Sequence, residues 1–295
     1  MTHKKALSAL IITVLLWGTS FVAIRQSMHD FSPGGLALLR YIIAAVAVVP
    51  VYFLLPSRTK PKLKEIPVLF ILGMLGIGIY NILLNIGETT TSAAIASFMI
   101  SQGPVATIIL AVIFLHERLT KLSWFGMVLS LCGIILIAHG ETQALGHFNH
   151  GIIYLMGAIL CAAIYSILQK PLLKRFQPLE ITAWSIWFGT LTLAFYIPSL
   201  WQEVQHQALA NFWWPAFLGI GSGVIGYACL AYGFKHFPAS KAISFLFAMP
   251  IVSIIMGWIV LGEMPTLLSL LGGLLAMSGA FMVRTKKPAL PGPID

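Results

Sequence analysis

Two stretches decide how this chain is read: PVATIILAVIFLHERLT at 104–120 and PIVSIIMGWIVLGEMPT at 250–266. Each opens on a proline, carries a glutamate 13 residues later (Glu117, Glu263) and a threonine three beyond that (Thr120, Thr266). The offset of 146 residues continues outward from both. It pairs Gly73 with Gly219, Gly87 with Gly233, Ala96 with Ala242, Ile108 with Ile254, Gly126 with Gly272 and Gly133 with Gly279. Small-residue matches come cheaply in a glycine-rich chain, but the proline–glutamate–threonine register does not. The chain therefore reads as a duplication, 1–145 and 146–284, followed by a Pro-rich tail at 285–295 expected to be disordered.

Composition sets the solvent. Of 295 residues, 58% are apolar and only 9% charged, whereas a soluble domain carries about 25% charge. Disorder needs the opposite balance, with low hydrophobicity and high charge. The 26 glycines suit membrane helices. The net charge of +9 is dispersed between apolar runs; nucleic-acid binding would need it gathered on one face. An integral membrane protein is the expected class. Cys132, Cys161 and Cys229 all lie inside apolar runs, with no metal or redox spacing, and read as packing residues.

A crossing helix needs about 20 mainly apolar residues. Such runs fall at 6–24, 34–55, 67–86, 92–115, 122–139, 151–169, 179–200, 212–234, 242–261 and 266–283. The first resembles a signal peptide in its flanking charge, but no small-x-small cleavage site closes it, and it reads as helix one. Lys and Arg stay on the cytoplasmic side. With the N-terminus inside, the cytoplasmic stretches hold Lys4, Lys5, Arg58, Lys60, Lys62, Lys64, Arg118, Lys121, Lys170, Lys174, Arg175, Lys235, Lys241, Arg284, Lys286 and Lys287, leaving only Arg25 and Arg40 of the 18 basic residues. The sequence thus predicts an all-α membrane protein of ten transmembrane helices, arranged as two inverted five-helix repeats with both termini cytoplasmic. Five is odd, so the second copy inserts upside down. Inverted repeats place a substrate site near the midplane between the halves and permit alternating access.

LWGTSFVAIRQ in helix one, P-x6-R from Pro33 to Arg40, and the two P-x12-E-x2-T segments resemble the EamA-type transporters of the drug/metabolite transporter superfamily. The resemblance covers all ten helices. It implies a bacterial inner-membrane exporter of amino acids, other small metabolites or drugs.

Several residues are candidates for that work. Pro104 and Pro250 fall near mid-bilayer and free carbonyls at Ile100 and Leu246, either as packing kinks or as hinges facing substrate. Tyr80, Asn81 and Asn85 in helix three, the asparagines on one face, and Ser97, Ser101 and Gln102 in helix four must face the bundle interior, as glue or as cavity lining. Trp17, Trp184 and Trp187 lie too deep for interfacial anchors and are expected as apolar cavity walls, whereas Trp124, Trp201, Trp213, Trp214 and Trp258 sit near span ends. The expected substrate-binding set is Trp17, Tyr80, Asn81, Asn85, Ser97, Gln102, Trp184 and Trp187. Arg40 is the one basic residue deep in a span and needs a partner; Glu88 is the best available, and the two are expected as an ion pair at the outer gate. No Asp or Glu falls at mid-membrane, so the pattern offers no carboxylate proton relay. A lone Arg40 argues against phosphorylated substrates. The eight histidines form no H-E-x-x-H or nucleophile–base constellation, so neither enzyme, metal nor cofactor is expected. The expected partners are the lipid bilayer and a neutral or zwitterionic metabolite, and the expected function is its export, with a drug-efflux carrier, a channel or a sensor as the alternative functions. A monomer is expected, with oligomers left open.

Overall fold

The computed structural model describes residues 2–55, 57–115, 119–146, 148–237 and 245–283. Glu117 and the tail expected at 285–295 lie outside them. The described chain is a bundle of helices: α1 (His3–Ser27), α2 (Pro33–Phe53), α3 (Leu63–Glu88), α4 (Ala93–Phe114), α5 (Lys121–Gln143), α6 (Gly151–Lys174), α7 (Pro178–Gln205), α8 (Leu209–Gly233), α9 (Phe245–Leu261) and α10 (Leu267–Met282). The first eight are long and apolar enough to cross a membrane; α9 and α10 are shorter apolar helices. The protein is an all-α, multi-pass membrane protein.

The short α10 has a local cause. Thr266 caps its start by accepting the Ser269 N–H at 3.1 Å, and Val283 leaves the helix in an extended conformation. Sixteen residues rise about 24 Å, less than a hydrocarbon core of about 30 Å. An equivalent cap opens α5, where Thr120 accepts the Ser123 N–H at 3.1 Å.

The two prolines restart helices rather than kink them. α4 breaks at Ser101–Gln102, and Pro104 is the second residue of the new segment Gly103–Leu115. In α9 a 3-10 turn, Phe245–Ala248, precedes Met249–Met256, whose second residue is Pro250. The first turn of a helix tolerates proline because its N–H has no intrahelical partner. α3 and α8 each contain a π-helical stretch, Met74–Ile79 and Phe217–Gly226. Such widened turns shift the angular phase of every residue that follows.

Membrane helices gain little from hydrophobic sorting against lipid, so small residues that let backbones touch carry the packing. A Cβ on Gly133 would stand 2.6 Å from the Gly272 carbonyl oxygen, and one on Gly126 2.6 Å from that of Gly279. These contacts lock α5 against α10. Gly73 lies as close to the Gly189 amide, at 2.7 Å, and Gly219 to the Arg40 carbonyl, at 2.6 Å. Phe98, Leu36, Ile95, Met99 and Leu155 fill the interior, while Val46, Phe114, Phe125, Leu131, Leu191 and Leu274 point outward, where lipid covers them. Trp124, Trp201, Trp213 and Trp258 are exposed near helix ends, as interfacial anchors should be.

Candidate functional site

A polar cluster sits between α1, α2, α3, α6 and α8. Tyr80 and Asn81 follow directly on the π-helical stretch of α3, and Tyr227 directly on that of α8. From α2 come Arg40 and Tyr41. Arg40 is buried, donates from Nη2 to Ser222 Oγ at 3.2 Å, and carries its guanidinium 5.2 Å from the centre of the Tyr41 ring. Asn81 Nδ2 donates to the Tyr41 hydroxyl at 3.1 Å and to the Ile77 carbonyl at 2.8 Å. Trp17 Nε1 donates to the Ser222 carbonyl at 3.0 Å, and its ring meets Tyr227 edge-on at 4.9 Å. The phenols of Tyr41, Tyr80, Tyr165 and Tyr227 lie close enough to interact electrostatically. The Ser185 hydroxyl stands beside the Tyr165 phenol, short of full hydrogen-bond geometry.

Trp17, Tyr80, Tyr165 and Tyr227 are only half-buried, although the first three pack against the core and Tyr227 packs on Trp17. Aromatic walls with a few placed polar groups are the usual lining of a small-molecule pocket. One turn further along α2, Trp187 Nε1 donates to the Ala45 carbonyl at 3.1 Å. Trp184 and Trp187 meet edge-on at 5.3 Å, Tyr52 closes on Trp187 at 5.1 Å, and Phe188 stacks on Trp184 at 5.7 Å. Trp184 and Trp187 thus form an aromatic group with Tyr52 and Phe188 beside the cluster, apart from Trp17, the third residue expected as a cavity wall. Two open grooves of about 600 Å³ lie elsewhere, one around Pro33, Ile82 and Phe195 and one around Lys4, Ile12 and Val51. Neither includes a cluster residue.

Besides Trp184 and Trp187, three more expected site residues fall outside the cluster. Gln102 is satisfied between α4 and α5: its Oε1 accepts from Ser130 Oγ at 2.5 Å and its Nε2 donates to Ser101 Oγ at 3.2 Å. Ser97 turns back on its own helix, donating to the Ala94 carbonyl at 2.6 Å. Asn85 bonds the Pro33 carbonyl at 2.8 Å and ties α3 to the start of α2.

The expected Arg40–Glu88 ion pair is not formed. Arg40 turns to Ser222, and both Glu88 carboxylate oxygens are buried without a hydrogen bond. The ion pair at this end belongs instead to Arg25, whose Nη2 meets Glu263 Oε1 at 2.5 Å while its Nη1 donates to the Glu88 carbonyl at 2.7 Å. Arg25 ties α1 to the turn after α9 and to the end of α3 there. At the opposite end, Arg175 pairs with Glu65 and donates to the Lys60 carbonyl at 2.8 Å, and Glu180 accepts the Thr59 N–H at 2.5 Å. Among the described residues no group of three or more His, Cys, Asp or Glu is arranged to hold a metal.

Tyr41, Tyr165, Ser222 and Tyr227 were not singled out from the sequence. One signal was available: at the offset of 146, Tyr227 stands opposite Asn81 and Trp187 opposite Tyr41.

The model of the EamA-like transporter family matches the chain twice, over residues 4–139 and 149–285. An uncharacterized transporter of Bacillus subtilis, YdfC, is 34% identical across 94% of this chain and 91% of its own. A probable terminal-alkyne amino-acid exporter of Streptantibioticus cattleyicolor is 29% identical across 99% of both chains. One solved crystal structure shares the fold with a TM-score of 0.61, at 18% identity and over 93% of this chain and 95% of its own.

Proposed function

The chain belongs to the EamA-like transporter family, and from that premise we propose that it exports small neutral or zwitterionic metabolites, amino acids foremost, by alternating access across the cell (inner) membrane. One observation carries the reading: the polar cluster is built from both halves of the chain. Arg40 bonds Ser222 and Trp17 bonds the Ser222 carbonyl, joining first-half helices to α8. A site shared between inverted halves is where rocking of one against the other changes access. The relative named as an amino-acid exporter supports the choice of substrate class.

The packing supports the inverted repeat. Gly126 meets Gly279 and Gly133 meets Gly272; likewise Gly73 meets Gly189 and Gly219 meets Ile43. Adding 146 to one member of each contact and subtracting it from the other yields its counterpart. Such reciprocity is what a two-fold relation produces. On this reading the repeats are 1–145 and 146–284, α9 and α10 also cross the bilayer, and both termini are cytoplasmic.

Reconstituted in liposomes, the purified chain is expected to show saturable counterflow of at least one labelled L-amino acid. Linear, unsaturable flux would point to a channel. Absence of any amino-acid counterflow would sink the reading, and accumulation of ethidium would then favour drug efflux, for which the Tyr52–Trp184–Trp187 wall is suited. Orientation has its own test. A cysteine at Gln143 or Gln205 is expected to react with an impermeant thiol reagent on intact cells, and one at Thr59 or Gln177 is not. Labelling at Thr59 in sealed cells would overturn the topology.

A further inference from the structure

Arg40 and Glu88 are among the most deeply buried charged side chains of the described bundle, at 6% and 0% exposure. One is a base and the other an acid; they lie within electrostatic reach of each other and yet do not bond one another. Each is left with orphaned atoms, Nε of Arg40 and both carboxylate oxygens of Glu88. A buried charge without a partner is costly, and packing normally removes it by pairing. Here the helices hold the two apart.

The spacing of α3 shows how. Asn81, Asn85 and Glu88 follow one another at four and three residues and so share a face. Asn81 is tied to Tyr41 and Asn85 to Pro33, so that face is turned toward α2, the helix that carries Arg40. The Tyr80 phenol interacts electrostatically with both charged groups. Arg25 also favours the Glu88 carboxylate through space, but its guanidinium is paired with Glu263 and bonds Glu88 only at the backbone carbonyl, while Glu263 has like charge. Arg40 has spent Nη2 on Ser222, which leaves part of its fork for a planar anion.

We infer that Arg40 and Glu88 are the two poles of the substrate site, Arg40 receiving the α-carboxylate and Glu88 the α-ammonium of an amino acid. The inference rests on the amino-acid reading above and adds the groups that select for it. A zwitterion entering between them brings an anion to the Arg40 guanidinium and a cation that holds the Glu88 carboxyl ionised, and so satisfies both orphaned groups at once. An amine or an acid of the same shape satisfies one and strands the other. That difference is the basis of selection, because a site left with an unpaired polar group rejects the analogue that leaves it so.

The test uses the full chain in proteoliposomes and the amino acid giving the largest counterflow. Its competitors are the same molecule without the carboxylate and without the amine; for L-phenylalanine these are phenethylamine and 3-phenylpropanoate. Against wild type, each analogue is expected to compete at least about tenfold more weakly than the amino acid. Arg40→Gln should weaken the amino acid and the acid analogue about tenfold and leave the amine unchanged. Glu88→Gln should weaken the amino acid and the amine and leave the acid unchanged. Equal weakening of all three ligands by either variant, as a purely structural role would give, overturns the assignment. So does a wild type that does not discriminate among them, a result that needs no variant to fold. Should a glutamine variant fail to give monodisperse protein, Arg40→Lys and Glu88→Asp keep the charges and should retain the order of preference; loss of that order counts against the assignment. If no amino acid is carried, the proposed function falls and this assignment with it. If one is carried without the crossed pattern, only this assignment falls.

Discussion

Gly133→Leu is expected to cost the protein most of its folded yield. A side chain at 133 would press on the backbone of Ala276 and stand 2.6 Å from the Gly272 carbonyl oxygen. A flexible neighbour can turn aside; a helix backbone can only move as a whole. Overpacking costs about 1–3 kcal/mol where side chains absorb it, and the upper end or beyond is expected where α10 must be displaced from α5. The Gly126–Gly279 contact would open with it, since it lies on the same pair of helices. Gly103→Ala is the matched control. Nothing lies within 4 Å of its would-be Cβ, and alanine favours a helix over glycine by roughly 1 kcal/mol. Melting followed by size-exclusion chromatography in detergent separates the two. A Gly133→Leu variant as stable as wild type would mean that α5 and α10 do not pack backbone to backbone.

Asn81→Ala and Gln102→Ala should fail in different ways, although both amides are buried in adjoining helices. Removing the Asn81 amide strands the Tyr41 hydroxyl within the cluster. One lost buried hydrogen bond is worth about 1 kcal/mol, so the apparent KM for substrate should rise several-fold with folding near normal. Tyr227→Phe, which removes a hydroxyl at the same place, should act in the same direction. Gln102→Ala instead strands Ser130 Oγ between α4 and α5. An orphaned buried hydroxyl costs about 1–3 kcal/mol of stability, and the KM should stay put. Transport kinetics and thermal melting on the same preparations decide it. A larger KM increase for Gln102→Ala than for Asn81→Ala would move the site toward α4.

Part of the candidate site was legible in the sequence. Trp17, Tyr80 and Asn81 were marked by depth and by the cost of burying their polar atoms, and all three belong to the cluster. Arg40 was legible as a buried charge, but its partner was not. Glu88 suited it by position along the chain, whereas the partner in the structure is Ser222, 182 residues away. Arg25 shows the same limit: just past the run at 6–24, it reads as a connection residue until the turn after α9 brings Glu263 against it.

What the sequence determined by itself is what a one-dimensional pattern contains. Apolar runs of about twenty residues and a scarcity of charge dictate helices in lipid, because no other open structure satisfies its backbone there. The proline–glutamate–threonine register at 104–120 and 250–266 and the motifs of α1 and α2 resemble one transporter family, and that family is the one the chain matches. At about 1.5 Å per residue, sequence also supplies depth along each helix. It does not supply direction around the helix, and the tertiary structure alone decided which polar groups meet. The π-helical stretches of α3 and α8 turn Tyr80, Asn81 and Tyr227 out of the phase that regular helices would give. The glycine contacts then set how closely and in what register neighbouring helices approach. A residue at the right depth therefore reaches the cluster only if both adjustments aim it there, as they do for Ser222 and do not for Gln102.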